Sequence, residues 1–192
     1  MDAVYTKMEP RANYKSYEEA KPLVDKELER LRRLLYVQKI GTWEDVVKLF
    51  GDAVIVSKLA AVIKERSDGS LKVRLIVDFL RSGVNACLKV GERVVLPRLR
   101  DALRNIMWMQ TKAEGGDGIE LFVADFMDAF HTLPVNDDEK HLQVFLSTPG
   151  VFELFVTVIF GAKTAPLVWG RAAALLMRSG QALFDPTEVL TW

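Results

Sequence analysis

Phe122-Val123-Ala124-Asp125-Phe126-Met127-Asp128-Ala129-Phe130 is the stretch on which the reading of this chain turns. It closes an apolar run from Ile119 that predicts a buried strand to Phe126, with Asp125 near its end. A carboxylate in that position is costly unless a counter-charge or a cation meets it. Mg²⁺ is a hard ion that takes carboxylate and phosphate oxygens, which makes it the natural candidate. Asp128 follows three residues later, across a strand end, so the two side chains need not point together. One can bind metal while the other is structural. A turn or capping role for both aspartates is the open alternative.

On the N-terminal side, Leu59 to Lys64 and Leu71 to Phe79 are apolar, β-branched runs separated by Ser67-Asp68-Gly69-Ser70. That pattern predicts a hairpin in which the glycine takes the positive φ. Lys64, Arg66, Lys72 and Arg74 flank the turn, a tip suited to phosphate oxygens or, more plainly, to water. Earlier still, Ser16-Tyr17-Glu18-Glu19 reads as a capping box for a helix running to about Gln38, with Pro22 near its first turn and Gly41 as its stop. Thr42 then caps a short helix, Trp43 to Phe50, closed by Gly51.

On the C-terminal side, a second hairpin is predicted over His141 to Leu146 and Val151 to Val158, turning at Thr148-Pro149-Gly150. Thr164 and Pro166 open a long helix to about Phe184, and Pro97 opens another whose face is Leu99, Leu103, Ile106 and Met107. The order is helix, hairpin, helix, strand, hairpin, helix. It predicts an α+β chain with a mostly antiparallel sheet. No GxGxxG or GxxxxGK[ST] is present, which excludes the nucleotide folds built on them.

The charge is even in total and uneven in place. Lys plus Arg and Asp plus Glu each number 26. Residues 58–112 carry 12 basic and 5 acidic side chains, whereas residues 113–192 carry 4 and 11. A basic lobe beside an acidic one suits a polyanion held near a cation, although solvated faces can differ by chance. Cys87 is the one cysteine, which excludes an internal disulfide framework; it is expected to be a small buried side chain. His131 and His141 are expected in the sheet or on the surface, not as ligands. No run approaches the roughly 20 apolar residues of a membrane span, and the first residues lack an apolar secretory core. An intracellular protein is therefore expected.

Read together, the segments resemble a reverse transcriptase of the retroelement and retroviral type, over roughly Ser57 to Phe184. Four blocks carry the resemblance: Lys72 to Phe79 with Gly83-Val84-Asn85; Val95-Leu96-Pro97; Val123 to Phe130; and Phe160-Gly161-Ala162-Lys163-Thr164-Ala165-Pro166 with Trp169-Gly170-Arg171. The resemblance implies an incomplete right-hand polymerase fold, fingers plus partial palm. Residues 1–52 would be an N-terminal helical extension, 53–95 with 134–159 the fingers, and 96–133 with 160–192 the partial palm. It implies template-directed transfer of a nucleotide from a dNTP to a primer on an RNA or DNA template by two-Mg²⁺ chemistry.

Residue by residue, the same resemblance makes Asp125 the catalytic carboxylate and metal ligand, with the Phe126 carbonyl as a further ligand. The N–H groups of Asp128 and Ala129 would meet the triphosphate, and Phe130 would lie under the sugar and exclude a 2′-hydroxyl. Lys64, Lys72 and Arg74 would hold phosphates. Gly161 and Lys163 would lie along the nascent pair and template, and Asp78 and Asn85 near the template, with a structural role an equal alternative for that last pair. The resemblance stops short of the aromatic-X-Asp-Asp strand that supplies the other metal carboxylates. Asp137-Asp138 lies before the second hairpin, and the sequence reaches Trp192 about where that strand should begin. The chain alone is therefore expected to be inactive, needing a further C-terminal polymerase region or a partner subunit. A non-catalytic nucleic-acid-binding module or a decayed element is the rival.

Overall fold

A computed structural model describes residues 12–112, 118–185 and 189. The chain divides into two compact units, residues 12–89 with 128–165, and the described residues of 90–127 with those from 166 onward.

The first unit is built on a four-stranded sheet and a separate hairpin. Its elements are α1 (Lys15–Glu19), α2 (Lys21–Arg33), β1 (Val37–Gly41), α3 (Trp43–Phe50), β2 (Val56–Ser57), β3 (Leu59–Glu65), β4 (Leu71–Val77), α4 (Val84–Cys87), β5 (Val144–Thr148) and β6 (Val151–Phe155). The sheet order is β1-β6-β5-β2, and β3 pairs with β4. β2 runs parallel to β5 and the other pairings are antiparallel, so the sheet is mixed, not purely antiparallel. Val24, Leu28 and Leu31 recur at helical spacing on α2 and are at most 2% exposed. They meet Leu59, Val77, Phe79, Phe145 and Phe155 in one core. Arg32 on α2 forks onto Glu153 of β6, with Nε donating to Oε2 at 2.8 Å and Nη2 to Oε1 at 2.6 Å. Glu153 is 1% exposed, so this pairing answers the cost of burying its charge.

Several expectations hold closely. Thr42 Oγ1 accepts from Asp45 N–H while Asp45 accepts from Thr42 N–H, and Gly51 closes α3 with φ +66°. The first hairpin forms as read, with β3 and β4 in register from Leu59↔Val77 to Glu65↔Leu71.

Others fail for tertiary reasons. The first long helix is two helices, and it ends at Arg33, not near Gln38. Leu35 turns left-handed (φ +60°), and Val37 to Gly41 joins the sheet beside β6 instead. Sheet pairing there overrides helical periodicity. Ser16 lies inside α1 and its Oγ accepts from Ala61 N–H, so it caps nothing. The second hairpin is shorter than predicted, because Asp137–Leu142 forms a 3₁₀ helix. Cys87 is exposed, not buried.

The second unit holds α5 (Leu99–Gln110) and α6, which spans Ala165–Gln181 and belongs to this unit from Pro166 onward. The strand expected over Ile119 to Phe126 is absent: the segment is irregular, and Phe122 and Val123 are 87% and 88% exposed. An apolar run becomes a strand only beside a partner, and none of the described strands pairs with it. Within this unit Phe126 meets Trp169 edge-on at 5.2 Å, and Arg171 pairs with Glu92. α5 buries none of its residues.

Candidate nucleic-acid interface

The register of the first hairpin decides where its cations go. Opposed residues of an antiparallel pair project to the same side. Lys64 opposes Lys72 and Val62 opposes Arg74, so Lys64, Lys72 and Arg74 share one face. Leu59, Ala61, Leu75 and Val77 take the other face and enter the core. Lys64 and Arg74 are exposed and Lys72 is half-buried.

At the base of that face, Val77 N–H donates to Phe160 C=O at 3.0 Å, fixing Phe160 beside β4. The Arg74 guanidinium lies 5.7 Å from the Phe160 ring centre, and Phe130 meets the same ring at 4.8 Å. The turn carrying Phe130 is a 3₁₀ helix, Ala129–Thr132, entered through Asp128 in a left-handed conformation (φ +53°, ψ +37°). Its first hydrogen bond runs from His131 N–H to Asp128 C=O at 2.7 Å, so the N–H groups of Asp128 and Ala129 stand ahead of it. The Pro134–Thr157 bridge and the bond from Val158 N–H to Leu133 C=O (2.9 Å) hold this turn against the strand that leads to Phe160.

Arg30 reaches the turn from α2. Its Nη1 donates to Asp128 Oδ2 at 2.6 Å, while Nε and Nη2 hold Glu27 at 2.9 and 2.7 Å. Burial alone would raise the Asp128 pKa. The Arg30 hydrogen bond and charge, with smaller help from His131 and Lys72, hold the carboxyl below the ordinary aspartate range. His131 is buried, stacks on Tyr36 at 5.1 Å and bonds Thr157 Oγ1 through Nδ1 at 2.9 Å. Burial pushes its pKa down, against the opposing pull of Asp128.

The residues assigned to the template are engaged internally. Asp78 accepts from Tyr14 Oη and from Arg81 N–H. Asn85 donates to Gly161 C=O at 2.8 Å and accepts from Lys163 N–H at 2.9 Å, which ties these three residues into one clamp. Gly161 has φ +118°, and a Cβ there would run into the carbonyl of Val77. Only glycine fits. A cleft of about 490 Å³ lies alongside, bounded by Tyr14, Ile76, Asp78, Phe79, Asn85 and Gly161 among others.

Asp125 and Phe126 belong to the second unit, where Asp125 is exposed in an irregular segment. A Mg²⁺ site gathers several oxygen ligands. Among the described residues no three His, Cys, Asp or Glu side chains gather. One exposed carboxylate does not by itself fit a two-ion centre.

Of the residues that sequence reading singled out, Lys64, Lys72, Arg74, Asp128, Ala129, Phe130, Gly161, Lys163, Asp78 and Asn85 fall in the first unit. Arg30, Glu27 and Tyr14 were missed. Arg30 and Asp128 lie 98 positions apart, and no local pattern links them. Phe160 was quoted in a motif without a role, although it anchors the Phe130 and Arg74 contacts.

No protein family and no curated protein matches the chain. Among solved structures, a foamy viral protease-reverse transcriptase, in a complex with double-stranded DNA, aligns with TM-score 0.57 and 16% identity. The alignment covers 88% of this chain and 25% of that one, so the chain spans about a quarter of the viral protein. The class defined is thus an α+β protein whose fold is similar to part of a reverse transcriptase. No described helix is long and apolar enough to cross a membrane.

Proposed function

We propose that this chain is the fingers and partial palm of a reverse-transcriptase-like RNA-directed DNA polymerase, and that alone it binds nucleic acid without extending a primer. The observation that carries the reading is the single hairpin face shared by Lys64, Lys72 and Arg74, set above the Phe130–Phe160 ring pair. Three cations on one face neutralise phosphates of a strand or a nucleoside triphosphate. Arg74 offers a planar fork, whereas the two lysines act as point charges. The ring pair gives an apolar floor for a sugar, and the N–H groups at Asp128 and Ala129 offer donors to a phosphate. The Asn85–Gly161–Lys163 clamp fixes the backbone where a template would pass.

The expected lack of primer extension is supported by the side chains around Asp125: among the described residues no three His, Cys, Asp or Glu side chains gather, as a two-ion centre would require. The same observation favours the second reading, a non-catalytic binding module. Two assays test the proposal. Equilibrium binding of a primer–template duplex should weaken by about tenfold or more in Lys64→Ala/Lys72→Ala/Arg74→Ala. Equal affinity in the variant would refute the proposed interface. Primer extension on poly(rA) with Mg²⁺ or Mn²⁺ should give no product, and robust incorporation would refute the inactivity.

A further inference from the structure

We infer that Arg30 is a positioning and charge-masking residue for the phosphate-binding face: it ties the Asp128 carboxylate to α2 and so leaves Lys72 open to a polyphosphate. The inference rests on the reading above and adds a residue that no motif points to.

Asp128 presents a problem to any anion site. It opens the turn whose N–H groups and ring face the ligand, yet it brings a negative charge there. Lys72 shares its hairpin face with Arg74, whose guanidinium lies 5.7 Å from the Phe160 ring, and that ring meets Phe130, two residues beyond Asp128, at 4.8 Å. Without Arg30, the carboxylate would be free to compete with a phosphate for the cations of that face. The Arg30 fork prevents this. One nitrogen holds Asp128 Oδ2 at 2.6 Å and the other two hold Glu27, so all three guanidinium nitrogens are engaged and Glu27 aims the fork at Asp128. The helix beneath is anchored in the core by Leu28 and Leu31, which flank Arg30 and are buried. Asp128 keeps only 16% side-chain exposure, so little solvent weakens the pairing. The residue so held is the one that enters the turn in a left-handed conformation, which an aspartate adopts less readily than glycine.

The test uses the whole chain and inorganic tripolyphosphate as probe, read by titration calorimetry. Arg30→Met keeps the length and loses the charge; it should weaken binding by about tenfold. Adding Asp128→Asn to Arg30→Met should restore affinity to within about threefold, because the competing carboxylate is gone. Lys72→Ala should weaken the wild type but add little to Arg30→Met. A merely structural Arg30 would not give that rescue. Unchanged affinity in Arg30→Met, or no rescue by Asp128→Asn, overturns the inference. Should Arg30→Met not fold, Arg30→Lys keeps the charge and loses the fork; a smaller loss with the same rescue is expected, and its absence is equally decisive. If Lys64→Ala and Arg74→Ala also leave tripolyphosphate binding unchanged, the hairpin interface itself falls. If they weaken it while Arg30→Met does not, only the role of Arg30 falls.

Discussion

Leu71 to Val77 and Ile119 to Phe126 are both apolar runs that read as strands, yet only the first is one. Leu71 to Val77 has β3 opposite it and buries Leu75 and Val77 to 4% and 1%. Ile119 to Phe126 has no strand beside it among those described, and its Phe122 and Val123 face solvent. The contrast shows that β-forming side chains state a preference, while pairing and burial decide the outcome.

Substitution sharpens the contrast. Phe155→Ala, in the core beneath the hairpin, should cost about 3–5 kcal/mol of unfolding free energy. Denaturant titration reads this, and a cost near zero would contradict the core described. Gly161→Ala should cost roughly 2–4 kcal/mol, because the added methyl meets the Val77 carbonyl at a positive φ. A neutral effect would mean that the Val77–Phe160 connection is not held as described. Phe122→Ala should change stability by no more than about 0.5 kcal/mol. A loss of several kcal/mol would place that run in a core after all.

Acid gives a smaller, graded effect. Burial holds the His131 pKa below its ordinary value of 6.5, so the unfolded chain takes up the proton first as pH falls. The contribution of His131 to stability is therefore level above about pH 6.5 and declines below it, until the folded pKa is reached. Thermal midpoints from pH 8 to pH 5 should show this decline, and His131→Phe should flatten it. An equal slope in both proteins would remove His131 as its source.

Local features were legible in the sequence because their causes are local. Thr42 and Asp45 cap a helix within four residues, Gly51 ends it, and Ser67 to Ser70 turn a hairpin whose arms carry Lys64, Lys72 and Arg74. What was illegible is non-local. The end of α2 is set by Val37 pairing with Phe155, and the Asp128 turn is held by Arg30 from another helix. Asn85 illustrates both sides: its place in a motif was visible, but its clamp on Gly161 and Lys163 needed the fold.

The central claim is that one hairpin face grips phosphates, and counterion release measures it most directly. Log affinity for a DNA duplex is plotted against log salt for the wild type, for Lys64→Ala/Lys72→Ala/Arg74→Ala, and for the control Lys26→Ala/Lys39→Ala/Lys48→Ala. The hairpin variant should lose about 2–3 units of slope, close to 0.9 per phosphate contact removed, while the control keeps the wild-type slope. Equal slopes in the wild type and the hairpin variant, or an equal loss in the control, would contradict the account.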